Sequence, residues 1–269
     1  MAGATIEVRL AGPRGEPVDL WRTIVSHGVA ALPPGAMDEE TRSYQTTVPL
    51  TRSRPRTIQI REGRRGRALV EVRGPRLSQA GETRVADAVR RMLNLDEDLS
   101  GFYNVAFADS ELSWAAGGAG RMLRSPTVYE DVVKTICTTN CAWSATVRMT
   151  RALVDHLGEP SAGAHGRAFP TPLAMAEAPE SFYRDVVRAG YRGAYLRALA
   201  GSVAEGRIEL ESLRDASPDD VPDDEVEARL TALPGVGPYA AAHVMMLLGR
   251  YGRLILDSWT RPKYARLAG

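Results

Sequence analysis

Near its C-terminal end the chain reads Leu233-Pro234-Gly235-Val236-Gly237-Pro238-Tyr239. No other segment constrains the fold as much. Two prolines and two glycines within five residues forbid a continuous helix. Residues 223–233 and 239–248, both with helical patterning, must therefore be separate helices joined by a tight turn. The glycines let the backbone turn sharply and come close to a ligand. The second helix starts directly after them. Its unpaired N–H groups and the positive end of its dipole face outward, which suits an anion such as phosphate. Beyond that helix, on Arg253-Leu254-Ile255-Leu256-Asp257-Ser258-Trp259, comes a lone carboxylate, Asp257.

A hairpin of this kind followed by an aspartate about two dozen residues on resembles the helix-hairpin-helix DNA glycosylases, enzymes that remove damaged or mispaired bases. A second stretch strengthens the likeness. Gly120-Arg121-Met122-Leu123-Arg124 leads into Tyr129-Glu130 and then Ile136-Cys137-Thr138-Thr139-Asn140. This is similar to the approach to the DNA-intercalating turn in the branch that contains the 8-oxoguanine and alkyladenine glycosylases. Gly190-Tyr191-Arg192 ahead of the hairpin is also similar to that branch, as is a strand-rich N-terminal region. The resemblance covers most of the chain and is most specific at 120–141 and 228–260.

The resemblance implies particular roles. Leu233, Gly235, Val236 and Gly237 would grip DNA backbone, with a monovalent cation, Na+ or K+, as a further option at the hairpin. Asp257 would be catalytic. Asn140 would fill the gap left by an extruded base, although Trp143, three residues on, is an alternative wedge. Bifunctional members carry a Schiff-base lysine at the start of the second hairpin helix. Here that position is Tyr239, so the expectation is a monofunctional, hydrolytic enzyme acting on duplex DNA. The only lysines, Lys134 and Lys263, do not match the family position. Tyr239 and Trp259 are candidates for a base-stacking pocket, favouring electron-poor alkylated purines; packing between helices explains both equally well. The missing lysine points to the alkyladenine side and the Asn140 turn to the 8-oxoguanine side. A non-catalytic DNA-binding or damage-sensing protein is the alternative of a different class, and Asp257 separates them, because a binder gains nothing from a carboxylate beside phosphate. Members of this branch carry a further helix past the aspartate; twelve residues follow it here.

Breaking an N-glycosidic bond generates an oxocarbenium-like sugar, which a nearby carboxylate stabilises while orienting water. A base inside a duplex is out of reach, so it must be flipped out at a cost of a few kcal/mol, and something must hold the hole open.

Composition sets outer bounds. The 269 residues suffice for one large or two modest domains, and 44% hydrophobic with 25% charged residues is ordinary for a soluble protein. The net charge of +1 argues against a strongly basic coat protein but allows local charge. Nine arginines lie between Arg52 and Arg76 against Glu62 and Glu71; they suit either phosphate contact or a solvated strand edge. No apolar run reaches the ~18 residues of a membrane helix, and no signal peptide is visible, so a cytoplasmic protein is expected, and a monomer is the expected state. Cys137 and Cys141 are the only cysteines. Two thiols cannot build a four-cysteine iron–sulfur site, and no histidine has zinc-ligand spacing to them, so buried reduced cysteines on one helix face are expected and no cofactor is assigned. His243, a helical turn after Tyr239, can face either DNA or the core.

The expected fold class is α+β. An N-terminal unit, 1–95, carries a small antiparallel sheet, from the period-two alternation of residues 5–10, 56–61 and 68–73, with a short helix capped by Asp19. A mainly helical unit, 96–269, follows. Helices are expected over 83–95, from 127 to 137 after Ser125-Pro126, over 145–157, 181–189, 195–205, 223–233 and 239–248.

Overall fold

The computed structural model describes residues 2–51, 53–163, 165–255 and 260–267. Asp257 and Trp259 lie outside the described residues. The fold is α+β. β1 (Ala2–Arg9) is followed by α1 (Leu20–Ile24), whose N-terminus is capped by the Asp19 carboxylate. Then come β2 (Ala36–Asp38), β3 (Ser43–Leu50), β4 (Ser53–Glu62) and β5 (Arg67–Arg73). All pairings are antiparallel, in the order β1-β5-β4-β3-β2. The register places Ile58 opposite Val72 and Ile60 opposite Val70. All four side chains are fully buried, as period-two strands with one apolar face require. α2 (Gln79–Met92) covers this sheet with Val85, Val89 and Met92. It starts four residues before the expected Thr83, because the Ser78 hydroxyl accepts the Gly81 N–H and caps it.

β3 was not expected as a strand. Its centre, Gln45-Thr46-Thr47-Val48, is polar in sequence but enclosed between its neighbours, with the Thr47 and Thr57 hydroxyls bonded to each other at 3.0 Å. Several of the Arg52–Arg76 arginines have partners within the chain. Arg61 pairs with Glu71, Arg67 with Glu7, Arg73 donates to Gln59, and Arg54 and Arg56 donate to backbone carbonyls.

α3 (Ser100–Ala108) lies between the two cores in sequence and was also unexpected. It buries only Tyr103 and Ala106, so its apolar residues follow no helical stripe. The second core is helical: α4 (Val128–Thr138), α5 (Trp143–Leu157), α6 (Pro172–Glu177), α7 (Arg192–Ala204), α8 (Ser212–Asp215), α9 (Asp223–Thr231) and α10 (Pro238–Leu247), with α11 (Thr260–Leu267) beyond. The cap of α4 is Thr127, whose hydroxyl accepts the Glu130 N–H at 3.1 Å; Pro126 precedes the cap instead of starting the helix. Residues 182–186 form a π-helical turn where a regular helix was expected. α4 ends at Thr138, so Cys141 lies beyond it, and the thiols do not share a helix face. Cys137 is buried, and Cys141 donates its S–H to the Cys137 carbonyl at 3.2 Å. Among the described residues no helix is long and apolar enough to cross a membrane.

α4 carries a buried ion pair. Lys134 Nζ lies 2.6 Å from Glu130 Oε1, and each side chain is 2% exposed. Burial pushes the Glu130 carboxyl upward and the lysine opposes this. Deleting one partner strands the other in the core. Lys134→Ala should therefore cost about 3 kcal/mol in urea unfolding. The double variant Glu130→Leu/Lys134→Met should recover most of that loss; no recovery would mean that the cost is packing rather than charge.

Candidate nucleic-acid interface and active site

The hairpin is built from its anchors outward. Leu233 and Val236 are buried in the helical core and fix the turn, and the Val236 N–H donates to the Leu233 carbonyl at 3.1 Å. Gly235 adopts φ 81°, in the left-handed region that favours glycine. Gly237 is the N-cap of α10 and offers no side chain to cap it, and Pro238 takes the first helical position. The first-turn amides of Tyr239 and Ala240 thus have no intrahelical acceptor and face out of the turn.

Against this hairpin stands the turn that ends α4. Asn140 is exposed at φ 46° and its amide donates to the Tyr191 hydroxyl at 3.3 Å. The hydrogen bonds from Asn140 and Thr139, the former the larger, hold the Tyr191 hydroxyl below its ordinary pKa. Arg192 braces the turn from behind. It is buried, its Nε donates to the Thr139 carbonyl at 3.1 Å, and its guanidinium lies 4.5 Å from the Tyr191 ring centre. The two walls enclose a cleft of about 900 Å3. Asn140, Tyr191, Tyr195, Gly235, Gly237 and Tyr239 line it, as does Arg261 of α11.

The structure thus brings together Asn140 and the hairpin residues Gly235, Val236, Gly237 and Tyr239, a hundred residues apart in sequence. Tyr239 is half-buried: it packs on the helical core and also lines the cleft. Trp143 is placed differently. It opens α5 with 47% of its surface exposed, but its indole lies over Gly28, where an added Cβ would come within 2.6 Å of the ring. It is not among the residues lining the cleft. His243 turns inward from Tyr239, its ring 6.2 Å from the tyrosine and 5.8 Å from His27. Burial pushes the His27 imidazole below its ordinary pKa, and its Nε2–H donates to the Leu123 carbonyl at 2.6 Å. Lys134 is buried on α4 and Lys263 lies on α11; neither lines the cleft.

Tyr195 and the bracing role of Arg192 escaped the sequence reading. Both lie on or beside Gly190-Tyr191-Arg192, a segment that sequence singled out without a role. A buried arginine bonded to a distant carbonyl has no sequence signature. Among the described residues no group of three or more His, Cys, Asp or Glu is placed to hold a metal ion.

No family model and no curated protein sequence matches the chain. Solved structures do. The DNA complex of MBOgg1 superposes with a TM-score of 0.73 at 21% identity, over 99% of this chain and 84% of that one. The 3-methyladenine DNA glycosylase of Archaeoglobus fulgidus gives 0.71 at 19%, over 98% and 86%. The 8-oxoguanine glycosylase/lyase of Clostridium acetobutylicum, in its apo form, gives 0.74 at 18%, over 98% and 85%. The chain has the fold of these DNA glycosylases. That fold accords with the helix-hairpin-helix superfamily its hairpin and its Asn140 turn resemble.

Proposed function

We propose that the protein is a monofunctional DNA glycosylase of base excision repair, working as a monomer in the cytoplasm on duplex DNA. It hydrolyses the N-glycosidic bond of a flipped-out damaged base, an alkylated purine in the preferred reading. The observation that carries this is the cleft, which sets an exposed Asn140 opposite a helix N-terminus at 237–240 that no side chain caps among the described residues, with Tyr239 of that terminus lining it. Duplex phosphate binds the hairpin amides. Asn140, held by Tyr191, enters the stack and keeps the hole open while the base leaves it. Tyr239 stacks on the extruded base, most strongly when alkylation has made it electron-poor. Asp257 stabilises the oxocarbenium-like sugar and orients the attacking water; this assignment rests on its sequence position. With tyrosine where bifunctional relatives carry the nucleophilic amine, no Schiff base forms at that position.

The carbonyls of the 233–236 turn are hard oxygen donors suited to Na+ or K+. The Leu233 carbonyl already accepts the Val236 N–H and keeps a second lone pair. A bound cation would add positive charge facing the DNA backbone.

An 8-oxoguanine-type activity is the second reading, favoured by the Asn140 turn. The test is direct: incubate the protein with duplexes each carrying one lesion and measure free base by chromatography. Release of an alkylpurine supports the preferred reading and release of 8-oxoguanine the second. Binding without release of any base would make the protein a damage sensor.

A further inference from the structure

We propose that the junction of the two cores holds a second anion site, which takes the phosphate group of a small molecule between Arg91, Arg124 and Arg214. Arg91 lies in the last turn of α2, Arg124 lies on the crossing segment tied to α2 by its N–H to the Met92 carbonyl at 2.8 Å, and Arg214 comes from α8. They line a chamber of about 10 Å3, room for one oxygen-sized atom. Arg91 and Arg214 also line an open pocket of about 510 Å3 whose walls include Leu50, Pro126, Tyr129 and Phe169 together with the carboxylates of Glu130, Glu159, Glu209 and Glu211.

The three guanidiniums are not equally satisfied. Arg214 donates to Glu211 at 3.1 Å and to Asp215 at 3.3 Å. Arg124 has Glu97 at 3.9 Å, beyond hydrogen-bond reach, and its Nε and Nη2 are buried without a hydrogen-bond partner among the described residues. Arg91 Nε is buried in the same condition, and no carboxylate pairs with Arg91 among the described residues. Among the described residues Asp131 is the one carboxylate lining the chamber; it accepts the Ser125 N–H, and burial pushes its carboxyl up to about 6. Glu211, in the adjoining pocket, is engaged by Arg214 and by the Val128 and Tyr129 amides at 3.2 Å.

A water would satisfy these donors but not the charge of Arg91, which no carboxylate offsets among the described residues, whereas Glu97 at 3.9 Å and Asp131 offset part of that of Arg124. An oxoanion meets both needs, since guanidinium forks match its geometry. One oxygen occupies the chamber, the others meet Arg91 and Arg214 at its mouth, and an organic remainder rests on the apolar wall. The DNA cleft is elsewhere. The pocket lies at the first turn of α4 and the cleft at its last, about 16 Å apart along the helix.

The test is calorimetric titration of the full chain, in phosphate-free buffer, with inorganic phosphate and separately with ribose 5-phosphate. One saturable site per chain is expected, weakened at least tenfold by Arg91→Gln and unchanged by the hairpin variant Gly237→Ala. Arg91 forms no ion pair to lose, so Arg91→Gln should melt like the parent without phosphate and lose only the phosphate-induced rise in Tm. Tighter binding of the sugar phosphate assigns the open pocket to its organic part; equal binding assigns the site to free phosphate. Absence of saturable binding overturns the proposal, as does binding that survives Arg91→Gln and disappears with Gly237→Ala.

Discussion

Asp257→Asn is expected to abolish base release while duplex binding stays within a few-fold. The substitution keeps volume and removes the charge opposed to the oxocarbenium-like sugar, so the loss falls on the transition state. A fall of about a thousandfold or more in the single-turnover rate, roughly 4 kcal/mol, is the scale for removing such a group. A variant that retains a near-normal rate on the preferred lesion would take Asp257 out of the chemistry.

Gly235→Ala should weaken binding to damaged and undamaged duplex alike, by about tenfold or more. Its φ of 81° costs a side-chain-bearing residue about 1–2 kcal/mol. The new Cβ would also stand 2.9 Å from Tyr195, which lines the same cleft. Gly237→Ala separates folding from binding. Its φ is −97° and an added Cβ meets nothing within 4 Å, so the free protein should tolerate it. A loss of DNA affinity at unchanged Tm then reports how closely phosphate approaches that backbone. Parallel titrations with one lesion duplex and its undamaged counterpart check both variants. A defect confined to the lesion duplex would mean that the loop reads the base instead.

What the sequence disclosed follows from what each element depends on. The hairpin was legible because Gly235, Gly237 and the two prolines act locally, and α10 because Pro238 starts it. Strands β4 and β5 were legible because each buries one alternating face. β3 was not, since Thr46 and Thr47 are buried by neighbours that a single strand does not announce. α3 was missed because its exposed Phe102, Val105 and Phe107 make no stripe. Within the cleft, Asn140 was found by resemblance. The pairing of its amide with Tyr191 and the grip of Arg192 on Thr139 depend on contacts across about fifty residues. Side-chain placement also separated Trp143 from the cleft, because its indole settles on Gly28. The arginines that meet at the core junction are equally tertiary: α2 supplies Arg91 and the crossing segment Arg124.

The central claim is base hydrolysis without strand cleavage, and one gel tests it. A duplex end-labelled on the strand bearing the preferred lesion is incubated with the unmodified protein, then divided between neutral buffer, alkali and borohydride. The expected result is an intact strand in neutral buffer, cleavage at the lesion only after alkali, and no protein–DNA adduct. Cleavage without alkali, together with a borohydride-trapped adduct lost on replacing Lys134 or Lys263, would contradict it.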